Sequence, residues 1–236
     1  MTKTFKVLSA LLSYPCSDLI GAAPELRKAL DEESLLPPEA RSSLDALITD
    51  MAAGDVYDLQ ERYVELFDRT RSLSLHLFEH VHGESRDRGQ AMIDLKAQYE
   101  QNGLTLSATE LPDYLPAFLE FLSTLPLPEA LQMLGQTTHI LNALAERLHK
   151  RGALYEVAFR ALEALATPAA DLAEIEIVPE GPDVDPNDFA ALDAQWEEEA
   201  VTFGPDAAPS CKDRLVAQIR AGRRPVSDVP VKGEAP

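Results

Sequence analysis

The chain has 236 residues, enough for one domain of ordinary size with an extension, and its 40 acidic against 21 basic residues give a formal net charge of −19. So much negative charge repels phosphate backbones and anionic lipid surfaces, which argues against nucleic acid as the main partner and against direct membrane insertion. It favours basic protein segments as partners, because opposite charges attract at long range.

The N-terminal stretch MTKTFKVLSALLSYPC predicts a packed amphipathic helix. Phe5, Leu8, Leu11 and Leu12 fall at helical spacing, so their side chains share one face. Lysines followed by a short apolar run are also the pattern of a secretory signal peptide, but polar residues interrupt this run and favour the helix. No stretch of the sequence is apolar for long enough to cross a bilayer.

The middle of the chain has a helical pattern from Asp55 onward. Asp55 is the predicted cap of a helix whose apolar residues recur in steps of three and four over 56–67. The same spacing over 92–99 predicts a second helix, which Gly103 should end. Residues 111–113, Leu-Pro-Asp, indicate the start of a third helix, since proline and an acidic residue both suit a first turn.

Two further helices are predicted before the composition changes. An apolar stripe from Leu127 to Leu148, in alternating steps of four and three, predicts one long helix that buries a single face. Another helix is expected from about Ala153 to Ala166, ended by the proline at 168. No run alternates between apolar and polar residues between hairpin turns, so strands are not expected. The sequence therefore predicts an all-α fold, with one helical domain over 1–167.

Residues 168–236 have a different composition. Over 174–206 there are eleven acidic residues and no basic one, and prolines and glycines recur. Such a segment buries too little apolar surface to offset its chain entropy, so we expect an acidic, mostly disordered tail. Within it, residues 188–203 predict a short amphipathic helix that carries the only tryptophan, Trp196. That helix either docks onto the domain or folds onto a partner, and the sequence leaves both open.

The string His76-Leu-Phe-Glu79-His80 has the H-x-x-E-H spacing of one class of zinc peptidases. On a helix, the two histidines would lie one turn apart and their rings could share a face. A catalytic zinc needs three protein ligands, and no third ligand stands at a suitable spacing. Cys16 and Cys211 are also far apart and in no ligand spacing, which indicates free thiols in a reducing cytoplasm. We therefore expect no metal and no cofactor.

Four segments carry a family resemblance. The most specific is FEHVHGESRDRGQAM at 78–92, and the others are YVELFDR at 63–69, ELPDYLPAFLEF at 110–121 and ALDAQWEEE at 191–199. Together they resemble the NarJ-type nitrate reductase molybdenum cofactor assembly chaperones, which belong to a wider family of all-helical chaperones for molybdoenzymes. The matches span about residues 5–203 in the same order, whereas residues 204–236 match less well.

The resemblance implies a helical bundle domain of the molybdoenzyme chaperone type that binds a partner and is not an enzyme. Chaperones of this type bind the apo catalytic (alpha) subunit of respiratory nitrate reductase in the cytoplasm. They hold it open for insertion of the molybdenum cofactor and keep it from docking early to its membrane anchor. They recognise its N-terminal segment, which resembles a twin-arginine leader, and they are absent from the finished enzyme. Cofactor insertion proteins are further partners that the resemblance suggests.

We expect the partner-binding residues on the matched segments, which the fold must bring together. The predicted set is Tyr63, Phe67, His80, His82, Glu84, Arg86, Glu110, Asp113 and Trp196. Core packing is an equal alternative for Tyr63 and Phe67, and a helix-end charge is the alternative for Asp113. If His80 or His82 touches the partner, binding should change between about pH 5 and 8, where histidine charge varies.

Other functions stay open on the sequence alone. One is a chaperone of the same family with another molybdoenzyme as its partner. Another is a zinc-dependent hydrolase that uses His76, Glu79 and His80 and should then carry about one zinc per chain. A nucleotide-dependent enzyme is disfavoured, because neither G-x-x-x-x-G-K-[ST] nor G-x-G-x-x-G is present to bind phosphates.

Overall fold

The computed structural model describes residues 1–81, 85–107 and 110–166, and only the backbone of residues 85–87. The predicted boundary after residue 167, the tail and its helix over 188–203 lie outside these residues. Within the described ranges there are ten α-helices: α1 Lys3–Leu11, α2 Ser17–Gly21, α3 Ala23–Glu33, α4 Pro38–Ala53, α5 Val56–Phe67, α6 Ser85–Gln101, α7 Leu115–Thr124, α8 Leu127–Gly135, α9 Thr138–Lys150 and α10 Glu156–Leu165. Two short 3₁₀ helices, Arg71–Leu73 and Leu77–His80, lie between α5 and α6.

The predicted all-α fold is confirmed. Within the described ranges, β pairing is limited to one isolated antiparallel contact between His76 and Tyr114. Helix α1 packs against α7 and α3, and α10 packs against α9 and α4. Helix α7 is apolar on most of its surface, and seven of its ten residues are buried, as expected for a helix near the centre of a bundle. None of the described helices is long and apolar enough to cross a membrane.

Several predicted helix ends are confirmed by their capping geometry. The carboxylate of Asp55 accepts a hydrogen bond from the Tyr57 N–H at 2.8 Å, so α5 begins where its cap predicts. Helix α6 ends at Gln101, and Gly103 follows with a φ of 77°, a conformation that glycine adopts without a Cβ clash. At the N-terminus, Phe5 and its apolar neighbours on α1 are buried.

Two predictions of helix extent are wrong. The stripe from Leu127 to Leu148 is divided between α8 and α9, because the chain turns at Gln136 and Thr137. The Thr137 hydroxyl donates to the Leu134 carbonyl at 2.8 Å and so satisfies a carbonyl at the end of α8. Residues 111–113 do not begin a helix either, since α7 starts at Leu115.

Candidate functional site

Two of the predicted segments meet in space. The histidine segment, Ser74–Val81, runs antiparallel to the Glu110 segment, Glu110–Leu115. The Leu77 N–H donates to the Asp113 carbonyl at 3.0 Å, and the Leu115 N–H donates to the Leu75 carbonyl at 2.8 Å. The fold therefore pairs the segment that carries His80 with the segment that carries Glu110 and Asp113.

The side chain of Asp113 holds the histidine segment in place. It is fully buried, and its Oδ2 accepts from the Phe78 N–H at 3.2 Å. Its Oδ1 lies 3.2 Å from Nδ1 of His76. Burial opposes protonation of His76, but the hydrogen bond and the charge of Asp113 outweigh it and raise the pKa of that imidazole. Asp113 thus acts inside the protein and not at a helix end.

The side chain of His80, in the same segment, is buried in a polar network. Its Nε2–H donates to the Ser74 carbonyl at 2.6 Å, and its Nδ1 faces Nη1 of Arg147 at 3.4 Å. The same Nη1 donates to the Ser72 carbonyl at 2.8 Å. Burial lowers the pKa of His80 to about 4, so His80 is neutral between pH 5 and 8. The lowered pKa disfavours titration of His80 in that window, and a contact of His80 with the partner stays a prediction.

Arg147 is a member of the site that sequence reasoning missed. It lies on α9, far along the chain from the histidine segment, and is only 6% exposed. A buried arginine has no local signature, because its position among basic residues near a helix C-terminus is ordinary for a solvated side chain. Only the fold shows that it reaches the carbonyl of Ser72.

The H-x-x-E-H string does not form a metal-binding face. His76 has an extended backbone before the 3₁₀ helix, so the expected helical turn between the two histidines is absent. Oε1 of Glu79 accepts from Nη2 of Arg88 at 3.0 Å. Burial disfavours its charge, but the Ser74 hydroxyl and Arg88 lower the pKa of Glu79 overall. Among the described residues, no three His, Cys, Asp or Glu side chains are grouped so as to hold a metal ion.

Tyr63 and Phe67 form part of a buried aromatic cluster. Each is 3% exposed, and their ring centroids lie 4.9 Å apart. The Tyr63 hydroxyl donates to the Leu12 carbonyl at 2.9 Å and lies 3.0 Å from the hydroxyl of Tyr114. Its ring also contacts that of Tyr14 edge-on, at 5.5 Å between centroids. Tyr63 and Phe67 are therefore core residues, and Tyr63 contacts the more exposed Tyr14 and Tyr114.

A cleft opens beside this cluster, and Glu110 lies on its rim. The volume of the cleft is about 200 Å³. The cleft is lined by residues of α1, the bend after it, α6, α7 and the chain between α6 and α7: Ser9, Ser13, Tyr99, Leu104, Thr105, Leu106, Glu110, Tyr114, Pro116, Ala117, Glu120 and Phe121. Glu110 is exposed and accepts from the Ser107 hydroxyl at 3.0 Å. The described lining thus combines apolar and aromatic surface with two carboxylates and no cationic side chain.

The structure does not describe the side chains of the remaining four members of the predicted set. His82, Glu84 and Trp196 lie outside the described residues, and Arg86 is described only as part of the backbone of α6. Their roles stay predictions. The binding roles of the other five residues also stay predictions, although four of them are buried and one, Glu110, is exposed.

Comparison with known proteins assigns the family. A profile of the family described as "Nitrate reductase delta subunit" matches residues 33–161. The nitrate reductase molybdenum cofactor assembly chaperone NarJ of Escherichia coli strain K12 is 46% identical over 212 residues, which cover 89% of this chain and 88% of that protein. The chain belongs to the NarJ-type family of assembly chaperones. The NarW protein of the same strain is 41% identical over 216 residues, covering 91% of this chain and 90% of its own.

A solved structure supports the fold. The crystal structure of a redox enzyme maturation protein from Archaeoglobus fulgidus superposes with a TM-score of 0.50 at 21% identity, and covers 69% of this chain and 91% of that one. By its family, this chain is a NarJ-type assembly chaperone, and that family is not enzymatic. The hydrolase alternative is overturned, and its three residues have structural partners instead.

Proposed function

We propose that this chaperone binds the apo catalytic subunit of a respiratory nitrate reductase through a leader-like N-terminal segment. It holds that subunit open for molybdenum cofactor insertion and delays its docking to the membrane partner. The leader binds at the cleft beside Tyr114, with its basic residues toward Glu110 and Glu120. The observation that carries the proposal is that the described lining of one cleft combines apolar surface with two carboxylates and no cationic side chain.

The size of the cleft supports a peptide anchor over a small-molecule ligand. Pockets that enclose a drug-sized ligand usually measure about 300–1,000 Å³, whereas this cleft has about 200 Å³. A peptide needs less, because grooves hold it through a few side chains at anchor points while the rest stays on the surface. Tyr114 and Leu106 are partly exposed and offer such an anchor surface. The space therefore favours one or two apolar side chains of a leader.

Charge provides the second part of recognition. The chain has a net charge of −19, which accelerates encounter with a basic segment and makes binding sensitive to salt. Chaperones that must release their partner need moderate affinity. A dissociation constant near the micromolar range corresponds to about −8 kcal/mol, which a few buried anchors and exposed charge pairs can supply.

The test is a titration of the leader peptide of the cognate catalytic subunit into the full chain by calorimetry. We expect binding at low ionic strength, weakened about tenfold in the Glu110→Gln, Glu120→Gln double variant, since each lost charge pair is worth under about 1 kcal/mol. The matched control is Glu61→Gln with Glu129→Gln. Both are exposed and neither lines the cleft.

The outcomes separate the steps of the proposal. Failure of the wild-type chain to bind the leader would refute the function itself. Equal weakening by both double variants would show that only net charge matters and that the cleft is not the site. If a leader from another molybdoenzyme binds more tightly in the same titration, that enzyme and not nitrate reductase is the partner.

A further inference from the structure

One basic segment stands out in this acidic chain. Over 211–224, CKDRLVAQIRAGRR, there are five basic residues and one acidic residue. The three large aliphatic residues Leu215, Val216 and Ile219 precede three arginines at 220, 223 and 224. An apolar run joined to a basic end is the chemistry of the leader that the cleft is proposed to bind. The chain thus contains a segment with the recognition features of its own partner.

The described cleft is complementary to that segment. Glu110 and Glu120 provide negative charge, and Leu104, Leu106 and Tyr114 provide apolar and aromatic surface. Tyr114 is only partly buried, so its ring is accessible from solvent. Arginine side chains can pair with carboxylates and lie over aromatic rings, which makes this lining well suited to them.

The segment can reach the cleft from where the described chain ends. The 44 residues numbered 167–210 separate it from Ala166. A chain of that length can span at most about 150 Å, and a random coil of the same length averages about 33–40 Å between its ends. A domain of this size has a radius of gyration of about 15 Å. Tethering at this range gives an effective concentration in the millimolar range, so a weak intrinsic affinity suffices.

We infer that residues 211–224 bind in the cleft of the same chain and compete with the leader. The inference rests on the proposed function of the cleft. The acidic run at 174–206 is a competing site, since it combines eleven carboxylates with apolar residues such as Phe189 and Trp196, and a label on Cys211 distinguishes it from the cleft. The cleft offers both kinds of contact. The leader must then displace an internal occupant, which favours partners that match the cleft better than the chaperone's own segment does.

The size of the effect follows from occupancy. If the segment fills the cleft about 90% of the time, only a tenth of the molecules are free to bind, and the apparent affinity for the leader falls about tenfold. Releasing the segment should therefore tighten leader binding about tenfold at low ionic strength. The difference should shrink as salt screens the arginine–carboxylate pairs.

The first test uses full-length variants. Leu215→Ser with Ile219→Ser removes the apolar surface and leaves the net charge at −19. A second variant replaces Arg220, Arg223 and Arg224 by Gln and makes the chain more acidic. We expect both to bind the leader peptide about tenfold more tightly than wild type. The serine variant is the sharper one, because bulk attraction of the basic leader is unchanged in it.

The second test locates the segment directly. The chain has two cysteines, and Cys16 is exposed and free. Cys16→Ser is mild, because serine is a favourable residue at the N-cap of α2, where Cys16 stands. A paramagnetic label on Cys211 should then broaden the amide signals of Leu104 and Ala117. Added leader peptide should restore those signals.

Each outcome is decisive. If wild type and both variants bind the leader equally, or if only the arginine variant binds more tightly, self-occupancy of the cleft is wrong while the proposed function stands. If the label on Cys211 never broadens the cleft signals, self-occupancy of the cleft is also wrong. If no variant binds the leader at all, the proposed function fails instead.

Discussion

The buried carboxylate of Asp113 should control both the stability of the site and the titration of His76. Replacing it by Ala leaves the Phe78 N–H without its acceptor at 3.2 Å in a buried position. An unsatisfied buried donor costs about 1–3 kcal/mol. Loss of the bond to His76, which is 30% exposed on its side chain, adds up to about 1 kcal/mol. Removal of a buried charge offsets part of this. We expect Asp113→Ala to lower the free energy of unfolding by about 2–3 kcal/mol.

Asp113→Asn separates charge from hydrogen bonding. Its amide oxygen can still accept from the Phe78 N–H, so the loss should be about 1 kcal/mol. The pKa of His76 should fall, because the neighbouring charge that raises it is gone. A raised folded-state pKa stabilises the protein below the unfolded value of about 6.5 and stops doing so above the folded value. The gap between wild type and Asp113→Asn should therefore be widest in acid.

Urea denaturation at several pH values and NMR titration of His76 measure these two effects. The control is Asp58→Ala, an exposed carboxylate in the first turn of α5, which should lose less than about 1 kcal/mol. The reasoning is refuted if Asp113→Ala is as mild as this control. It is also refuted if the pKa of His76 is unchanged in Asp113→Asn.

Three further changes test the surrounding structure. Because the pKa of His80 is lowered to about 4, the free energy of unfolding of the wild type should fall by up to about 3 kcal/mol between pH 6.5 and 4. In His80→Gln, urea denaturation should show a smaller fall over the same pH range. An equal fall would contradict the burial argument. Glu33 accepts from the Thr4 N–H at the start of α1, so Glu33→Ala should reduce stability by about 1–2 kcal/mol in thermal melts, with no change expected if that cap is dispensable. Tyr63→Phe removes the donor to the Leu12 carbonyl and should lower the urea midpoint by about 1–2 kcal/mol, whereas wild-type stability would show that bond to be unimportant.

The sequence predicts helices well where the deciding signal is local. Asp55 caps α5 by accepting a hydrogen bond from the N–H of the residue two positions along. Gly103 has the positive φ that its position after a helix indicates. The break between α8 and α9 was missed because the apolar stripe keeps its helical phase across Gln136 and Thr137, so periodicity alone does not register the turn. Proline was misleading in a related way. Pro112 and Pro116 both follow a leucine, and only the second lies in a first helical turn.

The candidate site was predicted as a set of segments, and their pairing could not be predicted. His76 and His80 suggested a shared helical face, yet their partners are Asp113 and Arg147, which are 37 and 67 residues away along the chain. Such contacts depend on how helices pack, and no periodicity encodes them. Glu110 was predicted because an acidic residue at a predicted helix start could meet a cationic leader, and it lines the cleft.

Burial divides the predicted residues by role. Asp113 and His80 make hydrogen bonds inside the protein, and those bonds fix the backbone of two segments that meet at Tyr114. Fixing that backbone places Glu110 and the Tyr114 ring at the cleft. A family signature in this region can therefore specify mainly the support of the proposed binding surface, while the cleft itself includes ordinary residues such as Ser9 of α1. Substitution of the buried residues should disturb folding first, and substitution of the cleft residues should disturb binding alone.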